Sequence, residues 1–153
     1  MAIAISAPRT VSRSFAGLAA SIGEARAWAA ALLPVGCGQA SDVALVVSEL
    51  ATNAVLHSAS GASGGRYSVQ IEVDAAAGSV GVTCIDLGPA LVPAARREGE
   101  GGRGLALVRE LADTYEVRAE PASRTVCCRL GWRTGDDGNR SGSHGCPPGS
   151  VTC

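Results

Sequence analysis

A chain of 153 residues that is 46% hydrophobic and carries a net charge of −1 has the apolar material for one domain with one core and too little length for two. With only two Trp, two Tyr and one Phe, that core must be filled by Val, Leu, Ile and Ala, which suits helices packed closely on a sheet. A groove that tracks a nucleic-acid backbone needs clustered Lys and Arg, usually with aromatic stacking platforms; the sequence offers neither, which disfavours nonspecific nucleic-acid binding.

Residues 1–9 read as an N-terminal arm. Their short apolar start has no basic residues before it, the wrong order for a secretory signal. No apolar stretch approaches the ~20 residues needed to cross a bilayer, so a cytoplasmic protein with no membrane partner is expected. Residues 10–17 are expected to form an edge strand, and residues 18–33 an Ala-rich helix stopped by Pro34 and the loop Gly36-Cys37-Gly38. Ser41 is expected to cap the next helix, residues 42–57, with Asp42 in its first turn at the positive end of the dipole. At ~100° per residue, Val43, Val47, Leu50 and Ala54 fall within one narrow apolar arc of that helix.

Residues 58–65 are a Gly/Ser loop, and residues 67–73 and 80–85 read as two strands of a hairpin. Residues 87–102 hold two Pro-containing breaks, charges and four glycines, the composition of a mobile loop. Residues 105–115 read as helix and residues 125–132 as a closing strand, so the domain spans 10–132. Residues 133–153 are polar and too poor in apolar side chains to offset chain entropy, so a disordered tail is expected. The six cysteines follow no tight framework; Cys84 and Cys127 lie in apolar strand-like runs and are expected as small buried thiols. Cys146 and Cys153 have no His or second Cys at metal spacing, which argues against zinc.

Three groups of residues carry chemistry. Glu49, Asn53 and His57 follow one another at i, i+4 and i+8, in one file at the edge of the apolar stripe. A carboxylate there can accept a proton, and an amide oxygen one turn on can hold a hard cation such as Mg²⁺. Standing alone, the pair reads equally as a solvated helix face, and His57 as a cap compensating the helix dipole. Asp86-Leu87-Gly88-Pro89 follows a strand directly. A carboxylate delivered to a Gly-containing turn can accept from the amino group of adenine while the Gly admits a flat ring, although the same residues make ordinary turns. Gly101-Gly102-Arg103-Gly104-Leu105 opens a helix, where freed backbone N–H groups make a phosphate cradle and Arg103 adds charge. It lacks the Gly-Lys-Ser/Thr ending of a Walker loop, and no strand leads straight into it as a dinucleotide fingerprint requires.

The order of these groups, Glu/Asn helix, strand ending in Asp-x-Gly, variable loop and Gly-x-Gly opening a helix, resembles the GHKL-type ATP-binding family. That family includes gyrase, a heat-shock chaperone, sensor histidine kinases and a mismatch-repair ATPase. Within it the chain looks most like the compact anti-sigma-factor serine/threonine kinases, over residues 10–132. The resemblance implies the Bergerat fold, an α/β (α+β) two-layer sandwich with a mixed, mostly antiparallel sheet covered on one face by helices. It implies ATP and Mg²⁺ as cofactors, with Glu49 the general base and Asn53 the Mg²⁺ ligand. Asp86, with Gly88 beside it, would hold the adenine amino group, and Thr125 would support Asp86. Gly101, Gly102, Arg103, Gly104 and Leu105 would hold the phosphates under a lid formed by residues 90–101, with His57 also at the nucleotide. The chain departs from the pattern before Thr125, where many relatives have Gly and Ser123 and Arg124 stand here.

From the 153 residues in hand, neither the dimerisation helices of a sensor kinase before residue 10 nor the transducing domains of gyrase or chaperone type are expected. The resemblance then implies an anti-sigma factor that phosphorylates an anti-sigma-factor antagonist and regulates transcription through a sigma factor. Those two proteins are the expected partners, with a homodimer through residues 10–33 as a further expectation and no direct contact with nucleic acid. A non-catalytic switch that binds ATP only to sequester a partner needs the same pocket. Intact Glu49, Asn53, Asp86 and Gly104 argue against a domain that binds no nucleotide.

Overall fold

Period-two alternation sets the sheet. In the strand Tyr67 to Val73, Tyr67, Val69 and Ile71 are buried while Ser68, Gln70 and Glu72 between them are half-exposed, so one face seeks cover and the other meets water. The computed structural model describes residues 7–89 and 103–132. Its strands are β1 (Arg9–Ala16), β2 (Arg66–Asp74), β3 (Ser79–Asp86), β4 (Thr114–Glu120) and β5 (Ser123–Gly131). They lie in the order β1-β2-β3-β5-β4, and every pairing among the described residues is antiparallel. Three helices, α1 (Ala19–Leu32), α2 (Ala40–His57) and α3 (Arg103–Leu111), cover the apolar face, giving the expected α+β two-layer arrangement.

The central helix is α2. Val43, Val46, Val47, Leu50, Ala51 and Ala54 are all buried, and they meet Val69, Ile71, Val80, Val82 and Cys84 of the sheet in one core. At ~1.5–3 kcal/mol for each large apolar side chain removed from water, this stripe fixes the helix against the sheet. Beside it, α1 packs on α2 and β2. Phe15 stacks on Tyr67 and meets Trp28 edge-on, both with ring centroids 5.7 Å apart. The buried Tyr67 hydroxyl finds Ser21 Oγ at 3.0 Å, which satisfies a polar group that would otherwise oppose burial. Helix α1 ends where expected, because Leu33, preceding Pro34, is extended at φ −79°, ψ 148°.

Four local expectations require correction. The cap of α2 is Gln39 and not Ser41, and it makes no side-chain cap bond. Its amide instead donates to the Gly131 carbonyl at 2.9 Å, tying the helix start to the end of β5. The last helix runs Arg103–Leu111 and not 105–115, and Thr114–Glu120 is a strand. Thr-Tyr-Glu-Val-Arg-Ala-Glu alternates in polarity and has strand-forming Thr, Tyr and Val, but as an edge strand it stays largely exposed and lacks a strong apolar signal. Finally, Cys127 is not a buried free thiol: it pairs with Thr83, half-buried on the uncovered face, and among the described residues the free cysteines are Cys37, Cys84 and Cys128. The arm before residue 7, the loop at 90–102 and the tail from 133 lie outside the described residues.

Burial pushes the Cys84 thiol up from 9.0 to about 12, with Asp86 adding repulsion, and burial pushes Cys128 up to about 12. The folded state therefore resists deprotonation. The stability held in these thiols is intact below about pH 9 and falls as the pH rises toward 12. Urea unfolding between pH 8 and 11 should give a midpoint that drops above pH 9, and the double variant Cys84→Ala/Cys128→Ala should lose less over the same interval.

Candidate functional site

The setting of α2 on the sheet decides which of its side chains face outward beside α3. With Leu50 and Ala54 turned into the core, Glu49, Asn53 and His57 rise along the adjoining edge, joined by Thr52 and Leu56 at helical spacing. Across from them stand Arg103, Gly104, Leu105 and Leu107 of α3, and the two sets enclose a cleft of about 330 Å³. That lies within the range of about 300–1,000 Å³ usual for small-molecule sites. Helix α3 is held there by Val108, fully buried, and by Leu105 and Leu111 packed on the core, the stripe that Leu-x-x-Val-x-x-Leu spacing produces.

The two walls touch at Glu49 and Gly104. A Cβ on Gly104 would overlap the Glu49 carboxylate and stand 3.2 Å from its Cδ. A side chain at this position would have to push the Glu49 carboxylate aside, and its absence lets the carboxylate lie against the first turn of α3. Neither Glu49 nor Asn53 is committed to a hydrogen bond or ion pair among the described residues, which leaves a carboxylate and an amide oxygen free toward the cleft. Arg103 is exposed at the start of α3, where the unpaired N–H groups of a helix start favour anions. Gly101 and Gly102 lie outside the described residues, as does the lid expected at 90–101.

Asp86, Gly88 and Thr125 do not line this cleft; they lie at or just past the end of β3 and near the start of β5. Asp86 is buried, and its Oδ1 accepts the Gly88 N–H at 2.8 Å. Gly88 closes this turn at φ +76°, a conformation only Gly adopts without strain. The turn is lashed to the segment after α2: Ala59 N–H donates to the Gly88 carbonyl at 2.9 Å, and Leu87 N–H to Ser60 Oγ at 3.0 Å. The carboxylate thus sits just beyond the C-terminus of the helix that supplies Glu49 to the cleft.

Thr125 does not support Asp86. In the β3–β5 register Thr125 lies opposite Ile85 and Arg124 opposite Asp86. Cross-strand partners share a face, so Thr125 points to the uncovered side and Arg124 to the side of Asp86. Arg124 Nε and Nη2 donate to Asp86 Oδ2 at 3.0 and 2.7 Å. The residue noticed in the sequence only as a departure is the carboxylate's main partner, and the strand register that pairs them is the signal that a linear reading lacks. Thr52, Leu56 and Leu107 in the cleft wall were also missed, although Thr52 and Leu56 stand three and seven residues after Glu49, on the same side of the helix.

The model of the histidine kinase-like ATPase domain matches residues 15–130, most of the chain, and the chain belongs to this family. No match is found among curated proteins. Among the described residues no helix is long and apolar enough to cross a membrane.

The approach of Glu49 to Gly104 can be measured. Ala gains up to ~1 kcal/mol over Gly from helix propensity, but here its methyl must displace the carboxylate. Gly104→Ala should therefore be clearly stabilising in a Glu49→Ala background and less so, or destabilising, with Glu49 present. Urea unfolding of the four proteins of this cycle gives the coupling; the same effect in both backgrounds would contradict the contact.

Proposed function

We propose that the chain binds ATP with Mg²⁺ and transfers the γ-phosphoryl group to a serine or threonine hydroxyl of a small protein partner. The observation that carries this reading is the pair of uncommitted oxygens, Glu49 and Asn53, facing the first turn of α3 across a cleft narrowed to contact at Gly104. The residues fit the group. No group of three or more His, Cys, Asp or Glu able to hold a metal occurs among the described residues, and none is needed, since Mg²⁺ is commonly held by one or two protein oxygens together with phosphates and waters. Bound Mg²⁺ would supply neutralisation of phosphate charge.

In this reading Asn53 holds the cation through its amide oxygen, and Arg103 with the N–H groups of the α3 start orients the phosphates. Glu49 accepts the proton of the attacking hydroxyl while the new O–P bond forms, and the bond to the bridging oxygen of ADP breaks. Leu56 and His57 border the same cleft. Asp86, just past the C-terminus of α2, anchors the base. Family membership and the order of the three groups support the further proposal that the partner is an anti-sigma-factor antagonist, and that the domain acts in the cytoplasm on transcription through a sigma factor.

Incubation with γ-labelled ATP, Mg²⁺ and partner proteins captured on the chain from its own cell extract should label a captured protein on serine or threonine. Glu49→Gln should lower that transfer by at least ~100-fold, the usual weight of a general base, with ATP affinity changed only a few-fold. Unchanged labelling would remove Glu49 from the reaction.

A further inference from the structure

We infer that Arg124 sets how tightly this chain holds a purine base, because its guanidinium occupies Oδ2, one of the two Asp86 oxygens that a base amino group can use. The inference rests on the nucleotide-binding reading above and adds to it a residue that works against binding.

The geometry is that of a site already filled by the protein itself. Asp86 and Arg124 are direct cross-strand partners at the ends of β3 and β5, so both side chains rise from one face at one level. The Asp86 side chain is 3% exposed and that of Arg124 is 23% exposed, which places the guanidinium on the solvent side of the carboxylate. A carboxylate offers about four lone-pair sites. Three donors already converge on this one: the Gly88 N–H on Oδ1, and Nε and Nη2 of Arg124 on Oδ2. Gly88 is held in its turn by φ +76° and by its carbonyl accepting from Ala59 N–H at 2.9 Å, which keeps its own N–H on Oδ1. An incoming amino group must share Oδ1 or displace Arg124 from Oδ2.

Displacement has a definite cost. Hydrogen bonds to a charged group are stronger than neutral ones, and a buried carboxylate stripped of its cation is disfavoured. Nucleotide binding therefore competes with an internal ion pair. Removing the guanidinium leaves Asp86 with an open acceptor that a base amino group satisfies, so the empty protein loses stability while the complex gains relative to it. Arg124 also adds positive charge, and its loss weakens the attraction of any polyphosphate. The two effects have opposite sign and separate by ligand: competition acts only on a ligand with a base, attraction on any anion.

The test is calorimetric titration of the full chain, its Arg124→Met variant and its Arg124→Lys variant at pH 8 with Mg²⁺, using ATP and, separately, inorganic triphosphate. ATP should bind Arg124→Met roughly tenfold tighter than the parent, the order expected when one charge-assisted competitor is removed, with triphosphate unchanged or weaker. Arg124→Lys, which keeps the charge but loses the two-pronged grip, should fall between and carries the test if the Met variant does not fold. ATP binding that is equal or weaker in both variants overturns the inference and leaves nucleotide binding standing. Equal tightening of ATP and triphosphate also overturns it, since the effect is then not at the base. No binding of ATP to any of the three proteins overturns the nucleotide reading itself, and this inference with it.

Discussion

The rotation of α2 about its own axis is the constraint from which the site follows. Six buried residues, Val43, Val46, Val47, Leu50, Ala51 and Ala54, press this helix onto β2 and β3. Turning it by one residue, ~100°, would lift Leu50 and Val47 out of the core and bring Glu49 toward it. Each large apolar side chain so exposed costs ~1.5–3 kcal/mol, and an unpaired buried carboxylate costs more. The position of Glu49 and Asn53 is therefore a consequence of where the valines go. Core packing aims the polar file at the cleft, and no separate scaffold is required.

A second constraint acts across the cleft. Helix α3 approaches α2 closely enough that a side chain at Gly104 would displace the Glu49 carboxylate, while Val108 and Leu105 pack α3 on the core. The same small residue that permits the approach opens the helix, so the unpaired N–H groups of the α3 start lie next to the carboxylate. At the C-terminus of α2, buried Ser58 and Ser60 join the helix exit to the Asp86 turn: Ser58 Oγ donates to the Ala54 carbonyl at 2.7 Å and accepts from Ser60 N–H at 3.1 Å. One helix thus positions both carboxylates, Glu49 by its face and Asp86 by its end.

Much of this was legible in the sequence, and the reason is local. The stripe of α2, the Asp86 turn and the Gly-rich start of α3 are each read from residues within one or two turns of one another. Their order along the chain supplied the family before any geometry was known. What failed were features fixed by distant contacts. Gln39 displaced Ser41 as the helix cap because its amide reaches β5. The edge strand Thr114–Glu120 carries alternation without burial, so residues 114–115 were absorbed into the preceding helix. Arg124 acquires its meaning only when β5 is laid against β3, and a shift of one residue in that register would exchange it for Thr125, the residue the family pattern pointed to.

The central claim is that a nucleotide lies between α2 and the first turn of α3. A titration of the ¹⁵N-labelled chain with a non-hydrolysable ATP analogue and Mg²⁺, followed by amide correlation spectra, tests it most directly. The account predicts the largest shifts at the Asn53 side-chain amide and at the backbone amides of Gly104 and Leu105, with Thr83 and Thr125 on the uncovered face little changed. Shifts confined to the uncovered face, or none at saturating analogue, would contradict it.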